Sequence, residues 1–295
     1  MNTNTPLARS VDEIVEIRSH APESIAVALS ERTPGKTPED GRKMMIIACD
    51  HPARGALASG DNPLAMASRR ELLDRCVEAL ARPGVDGFLG TADMIEDLTL
   101  LGALEGKLVY DSMNRGGLAG ARFEMDDRFT GYDAQGVVGA HLDGGKMLMR
   151  INYEDPATVR TIESCAHAVD ELAARQKMAM VEPFISEWVD GKIVNDLSPE
   201  AVIKSIAITA GLGSTSAHTW LKLPAVDDME RVMETSTMPA LILGGAVSED
   251  ADSARESWRR ALALPTVRGL VIGRSLLFPP GDDVAAAVDE TVGML

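Results

Sequence analysis

The sequence predicts an α/β protein of the (β/α)8 TIM-barrel class with an N-terminal helical extension. Three observations predict it. From Met44 onward, short apolar runs alternate eight times with longer helical patterns, which is how a parallel sheet built from βα units reads. The eight units fill about 250 residues, the ordinary span of a closed barrel. No G-x-G-x-x-G follows the first strand, which disfavours the runner-up, a doubly wound open sheet.

Residues 1–43 form the predicted extension. The spacing of Val11, Ile14, Val15 and Ile17 predicts an amphipathic helix starting at Ser10, and Pro22 to Glu31 predicts a second. A polar loop, Thr33 to Gly41, follows. These helices are expected either to cap the barrel or to join identical chains in a homo-oligomer. The barrel itself takes residues 44–295. Its strands are predicted at Met44 to Asp50, Val85 to Gly90, Lys107 to Asp111, Gly145 to Ile151, Lys177 to Pro183, Ala217 to Leu223, Pro239 to Gly244 and Val267 to Gly273. Helical patterns between them include Ser68 to Ala81, Asp155 to Arg175, Ser198 to Gly211 and Asp250 to Leu264, several opened by Ser, Asp or Pro in capping positions.

Composition narrows the function. The net charge of -16 argues against nucleic acid or an anionic membrane surface as partner, while local groups still allow a phosphorylated small molecule. No apolar run reaches the roughly 20 residues of a membrane span, and Met1 to Arg9 carries no signal region, so a cytoplasmic protein is expected. The three cysteines, Cys49, Cys76 and Cys165, lie far apart without metal-type spacing and read as buried reduced thiols. The five histidines show no H-x-H or H-E-x-x-H spacing, so no catalytic metal is expected.

In such a barrel the active site lies where strands end. Alternation along each strand places Asp50 with Ala48 and Ile46, Lys146 and Arg150 with Leu148, Glu182 with Met178 and Met180, and Lys222 with Trp220, all facing inward. Two lysines, two carboxylates and one or two arginines therefore converge on one mouth. Buried singly they would each cost several kcal/mol, so they must pair. A lysine in that company, Lys222 in His218-Thr219-Trp220-Leu221-Lys222-Leu223-Pro224, loses solvation, and part of it becomes the neutral amine that attacks carbonyls. Lys146 is expected to remain charged and to depress Lys222 further. Gly244 and Gly245 after the seventh strand, and Gly273 and Arg274 after the eighth, stand where this fold binds phosphate. Arg54 and Arg115, in the loops after the first and third strands, and Arg150 on the fourth strand are further substrate- or phosphate-binding candidates.

These pieces resemble the class I aldolases of the DeoC, DhnA-type and LacD group. The carriers are Asp50-His51-Pro52-Ala53-Arg54-Gly55-Ala56-Leu57, the lysine opening strand four, the Glu-Pro ending strand five, the Leu-Lys-Leu-Pro of strand six, and the Gly-Gly and Gly-Arg after strands seven and eight. The match runs from about Met44 to Phe278, with His51-Pro52-Ala53 replacing a shorter polar insert. The resemblance implies Lys222 as Schiff-base lysine, Glu182 as acid/base, Lys146 as its charged neighbour and Asp50 orienting substrate hydroxyls, with no cofactor beyond the covalent lysine. It further implies retro-aldol cleavage of a phosphorylated keto-sugar or sugar acid. The whole chain also resembles actinobacterial members associated with inositol catabolism, a resemblance that implies cleavage of 6-phospho-5-dehydro-2-deoxy-D-gluconate to dihydroxyacetone phosphate and malonate semialdehyde. Rival readings are a tagatose/fructose-bisphosphate or deoxyribose-phosphate type aldolase, a related phosphoketose acyltransferase that needs a thiol cofactor, and a non-catalytic sugar-phosphate-binding barrel.

Overall fold

A computed structural model describes residues 6–39, 41–245 and 251–295. The sheet runs β1 (Met44–Cys49), β2 (Gly87–Gly90), β3 (Leu108–Ser112), β4 (Gly144–Ile151), β5 (Met178–Val189), β7 (Thr219–Pro224), β8 (Ala240–Leu243) and β9 (Val267–Ile272), with β6 (Lys192–Asn195) added outside the barrel. Each of the eight barrel strands pairs in parallel with its neighbour, β9 returns to β1, and the sheet is closed. This is the expected (β/α)8 barrel. Helices α3 (Arg69–Ala81), α4 (Ala92–Leu100), α5 (Ala134–Gly139), α6 (Ala157–Ala174), α7 (Pro199–Ala210), α8 (Met229–Met233), α9 (Ala251–Leu262), α10 (Arg274–Leu277) and α11 (Val284–Val292) occupy the connections and the C-terminus. Asp250, at the start of the helix predicted from Asp250 to Leu264, lies outside the described residues.

Local chemistry starts and stops these elements. Ser68 Oγ accepts from Glu71 N at 3.3 Å and Ser198 Oγ from Ala201 N at 3.3 Å, satisfying N–H groups that a first helical turn leaves free. Pro199 then fills the first helical position, where a missing N–H costs nothing. The strands are buried on both faces. Met45, Ile47, Met147, Met149, Val181 and Leu221 join the core beneath the helices, while Met44, Ile46, Tyr110, Met180, Trp220 and Val271 fill the barrel. Along β1, β5 and β7 the inward series changes from apolar to ionic at the outgoing end: Met44, Ile46, Ala48, then Asp50; Met178, Met180, then Glu182; Trp220, then Lys222.

The extension forms helices α1 (Val11–His20) and α2 (Glu23–Glu31). Arg18 reaches α4, donating to Asp97 at 2.7 Å and pairing with Glu96 at 2.9 Å. Arg32, 5% exposed, donates to the carbonyls of Lys107 at 2.7 Å and His141 at 3.0 Å. It thus closes the incoming ends of β3 and β4, opposite the ionic mouth.

One strand differs from expectation. The fifth was predicted to end at Pro183; β5 instead continues to Val189 and turns back as antiparallel β6. Asp190 (φ 49°) and Gly191 (φ 74°) make the two-residue turn. That is the left-handed pair an Asp-Gly hairpin uses, and only glycine enters this region without strain.

Candidate functional site

The outgoing strand ends surround a cleft of about 680 Å³, lined among others by Asp50, His51, Arg54, Arg115, Glu182, Lys222, Gly244, Gly273 and Arg274. At its floor lies an ionic cluster. Lys222 Nζ, 4% exposed as a residue, is 3.1 Å from Glu182 Oε1. Lys146 Nζ meets the other oxygen, Glu182 Oε2, and lies 3.4 Å from Asp50 Oδ2. That same Asp50 oxygen accepts from Ser112 Oγ at 2.8 Å and meets the Arg115 guanidinium. Arg115 Nε in turn donates to Ser112 Oγ at 2.8 Å.

Three cations therefore face two carboxylates in a buried space. Burial is the main force on both lysines. It lowers Lys222 first, Glu182 pulls the other way, and Arg115 lowers it again. Lys146 is driven well below the ordinary lysine value by burial and by Arg115, with Lys222 adding to the effect. Arg115 joins Lys146 as a like charge beside Lys222. Burial also brings Arg115 down to about 10. Burial alone would raise the Glu182 carboxyl, but Lys146 and Lys222 hold it well below the usual range, so it is ionised. Both lysines border the ionised Glu182. Access decides which one can meet a ligand: Lys222 lines the cleft, whereas Lys146 lies behind Glu182.

Arg150, predicted at the ligand, also lines the cleft and is held there by acidic partners. Its guanidinium donates to Asp127 at 2.7 and 2.8 Å and to Glu124 at 3.0 Å, buried to 2% exposure. It fastens the loop between β3 and α5 to the barrel. Arg54 keeps more freedom, with Glu124 at 3.6 Å as its ion-pair partner. At the opposite rim Gly245 has φ 70°, and a side chain on Gly273 would stand 2.5 Å from Ala48 O, so only glycine lets the β9 end lie against β1. Beside these glycines, Arg274 Nε and Ser275 Oγ are buried without a hydrogen-bond partner among the described residues.

Some cleft residues escaped the sequence reading. Ile193, Val194 and Asn195 come from the hairpin, whose signal was the Asp190-Gly191 pair between alternating residues. Glu124 and Asp127 stand in a loop without periodicity, and no local pattern marks them. Among the described residues, no group of three or more His, Cys, Asp and Glu side chains is placed to hold a metal ion, and no helix is long and apolar enough to cross a membrane.

Fold and cleft define a parallel (β/α)8 barrel with a buried lysine–carboxylate cluster at its C-terminal mouth. Within that class the chain belongs to the Cgl0159-like family, whose model matches residues 42–292. It is similar to the crystal structure of Cgl0159 from Corynebacterium glutamicum (Brevibacterium flavum) at 54% identity and TM-score 0.93, covering 96% of this chain and 95% of that one. A Schiff-base-forming fructose-1,6-bisphosphate aldolase shares the fold at 15% identity and TM-score 0.64, over 92% of this chain and 99% of that one. Fructose-bisphosphate aldolase from Slackia heliotrinireducens does so at 11% identity and TM-score 0.62, over 98% and 87%. No curated protein matches the sequence.

Proposed function

We propose that this protein is a class I aldolase that cleaves a phosphorylated keto-sugar or sugar acid through a Schiff base on Lys222. The observation that carries the reading is a buried lysine opening on a cleft, 3.1 Å from an ionised glutamate, in a cluster with one cation more than it has carboxylates. The neutral amine of Lys222 attacks the substrate ketone, the carbinolamine loses water, and the iminium accepts the electron pair of the breaking carbon–carbon bond. Glu182 takes the proton of the hydroxyl whose carbon becomes the aldehyde. Lys146 and Asp50 hold Glu182 in place and keep it charged; Asp50 also orients a substrate hydroxyl. The phosphate lies among Gly244, Gly245, Gly273 and Arg274, which fixes the ketone against Lys222. Protonation of the enamine and hydrolysis free the lysine, with no metal in the cycle.

The finer reading follows the family resemblance: the substrate is 6-phospho-5-dehydro-2-deoxy-D-gluconate, the products are dihydroxyacetone phosphate and malonate semialdehyde, and the setting is inositol catabolism in the cytoplasm by a homo-oligomer. Arg54, with only a 3.6 Å pairing to Glu124, is the cation we assign to the carboxylate of that substrate.

Borohydride trapping with dihydroxyacetone phosphate, followed by peptide mass spectrometry, tests the class. A reduced adduct on Lys222 supports it, and an unmodified Lys222 under saturating ketone overturns it. Activity that depends on coenzyme A would instead point to acyl transfer.

A further inference from the structure

His51 borders the cleft but takes no part in the steps above. Its Nδ1 lies 3.6 Å from Asp50 Oδ1, and both atoms are buried without a hydrogen-bond partner. The ring is 26% exposed and lines the cleft, so the open edge carries Nε2, for which the described residues supply no partner. Cε1 lies 3.5 Å from where a Gly273 side chain would begin, placing the imidazole against the same glycine and next to Arg274. The charges that face it come from every side: Asp50 from its own segment, Lys146 from β4, Glu182 from β5, Lys222 from β7 and Arg274 from α10. Burial first, and then the cations of this set, disfavour the charged ring.

We propose that His51 is an anion-binding residue at the phosphate end of the cleft and that it binds as the imidazolium, so that each dianion bound there brings one proton with it. The inference rests on the phosphate end of the proposed function. A dianion at Gly273 and Arg274 offsets the cationic field that adds to burial in disfavouring the charged ring. A proton from the buffer then forms a second ring N–H bond. Nε2–H donates to the anion and Nδ1–H to Asp50 Oδ1, which removes both buried orphans at once. The carboxylate fixes the tautomer, as an acidic partner does for imidazole generally.

Sulfate is a suitable probe, because it is a dianion of phosphate shape that does not titrate near neutrality. Calorimetric titration at pH 7 in buffers of different ionisation enthalpy should show uptake of about one proton per sulfate, and affinity should rise by up to about tenfold per pH unit on acidification. In His51→Gln, which keeps an amide near the position of Nε2 but cannot titrate, most of the uptake and the pH dependence should vanish. Equal uptake in wild type and His51→Gln would assign the proton to another group and overturn the inference, as would sulfate binding without uptake. If sulfate fails to bind while dihydroxyacetone phosphate still labels Lys222, this anion site falls and the Schiff base stands. If both fail, the proposed function falls as well.

Discussion

Two ionic clusters sit side by side at the barrel mouth, and they differ in balance. Around Lys222, three cations share Glu182 and Asp50. Around Arg150, two arginines share Glu124 and Asp127. Both are deeply buried. In the second, hydrogen bonds to Asp127 and Glu124 outweigh burial and raise Arg150 above its ordinary value. In the first, burial prevails and both lysines fall below theirs. A balanced buried cluster fastens structure, whereas one with a surplus cation holds a proton loosely. That surplus is what a lysine nucleophile requires.

The sharpest break of this comparison is at Lys222. Lys222→Met should lower turnover by at least about a thousandfold and abolish borohydride labelling, while circular dichroism reports an intact fold. Persistent labelling at Lys146 would reverse the two lysines' roles. In the wild type, labelling rates should rise with pH up to the lowered Lys222 titration and then level off, because only the neutral amine reacts.

Arg150→Met should act in the opposite sense, costing stability rather than chemistry. It leaves Glu124 and Asp127 buried without their bidentate partner, an effect of about 3–5 kcal/mol, read as a lowered denaturation midpoint. Lys222 should still label under saturating ketone in the folded variant.

Asp111 offers a third case, a carboxylate at the end of β3 with no cation at all. Burial raises it to about 7, and its Oδ1 has no partner. The folded value lies above the unfolded value of about 3.9, so the folded state holds the proton more tightly. The contribution of Asp111 to stability should therefore be greatest below pH 4, fall as pH rises toward 7, and stay level above. Asp111→Asn should remove that slope and gain on the order of 2–4 kcal/mol at pH 8 relative to its own pH 4 difference from wild type. Urea titrations at the two pH values measure it; parallel slopes in both proteins would refute the assignment.

The smallest effect is expected at the hairpin. Gly191→Ala forces a side chain into the left-handed region and should cost about 1–2 kcal/mol, fraying β6 and weakening ligand binding more than the chemical step. A KM unchanged within error would remove the hairpin from the ligand's surroundings.

Strand identity and facing were legible because they depend on local alternation. Asp50, Glu182 and Lys222 each close an inward series of apolar residues, a signal contained within five or six positions. The hairpin was equally legible in Asp190-Gly191, but the apolar run before it was read as complete at Pro183. The partners of Arg150 were not legible for a different reason: Glu124 and Asp127 are more than 20 residues away in a loop with no period. Parity correctly turns the arginine inward but says nothing of what it meets.

The sequence by itself determined that this chain builds eight parallel βα units and that five named charged residues point into one barrel, because side-chain direction alternates with every residue of a strand. Which charges touch was decided only by the tertiary structure. The β4–β5 register sets Lys146 opposite Met180 and Leu148 opposite Glu182, so Lys146 must extend along the barrel to reach that carboxylate, leaving Lys222 on its other oxygen and facing the cleft. Register arises from closing the whole barrel, and no single strand carries it.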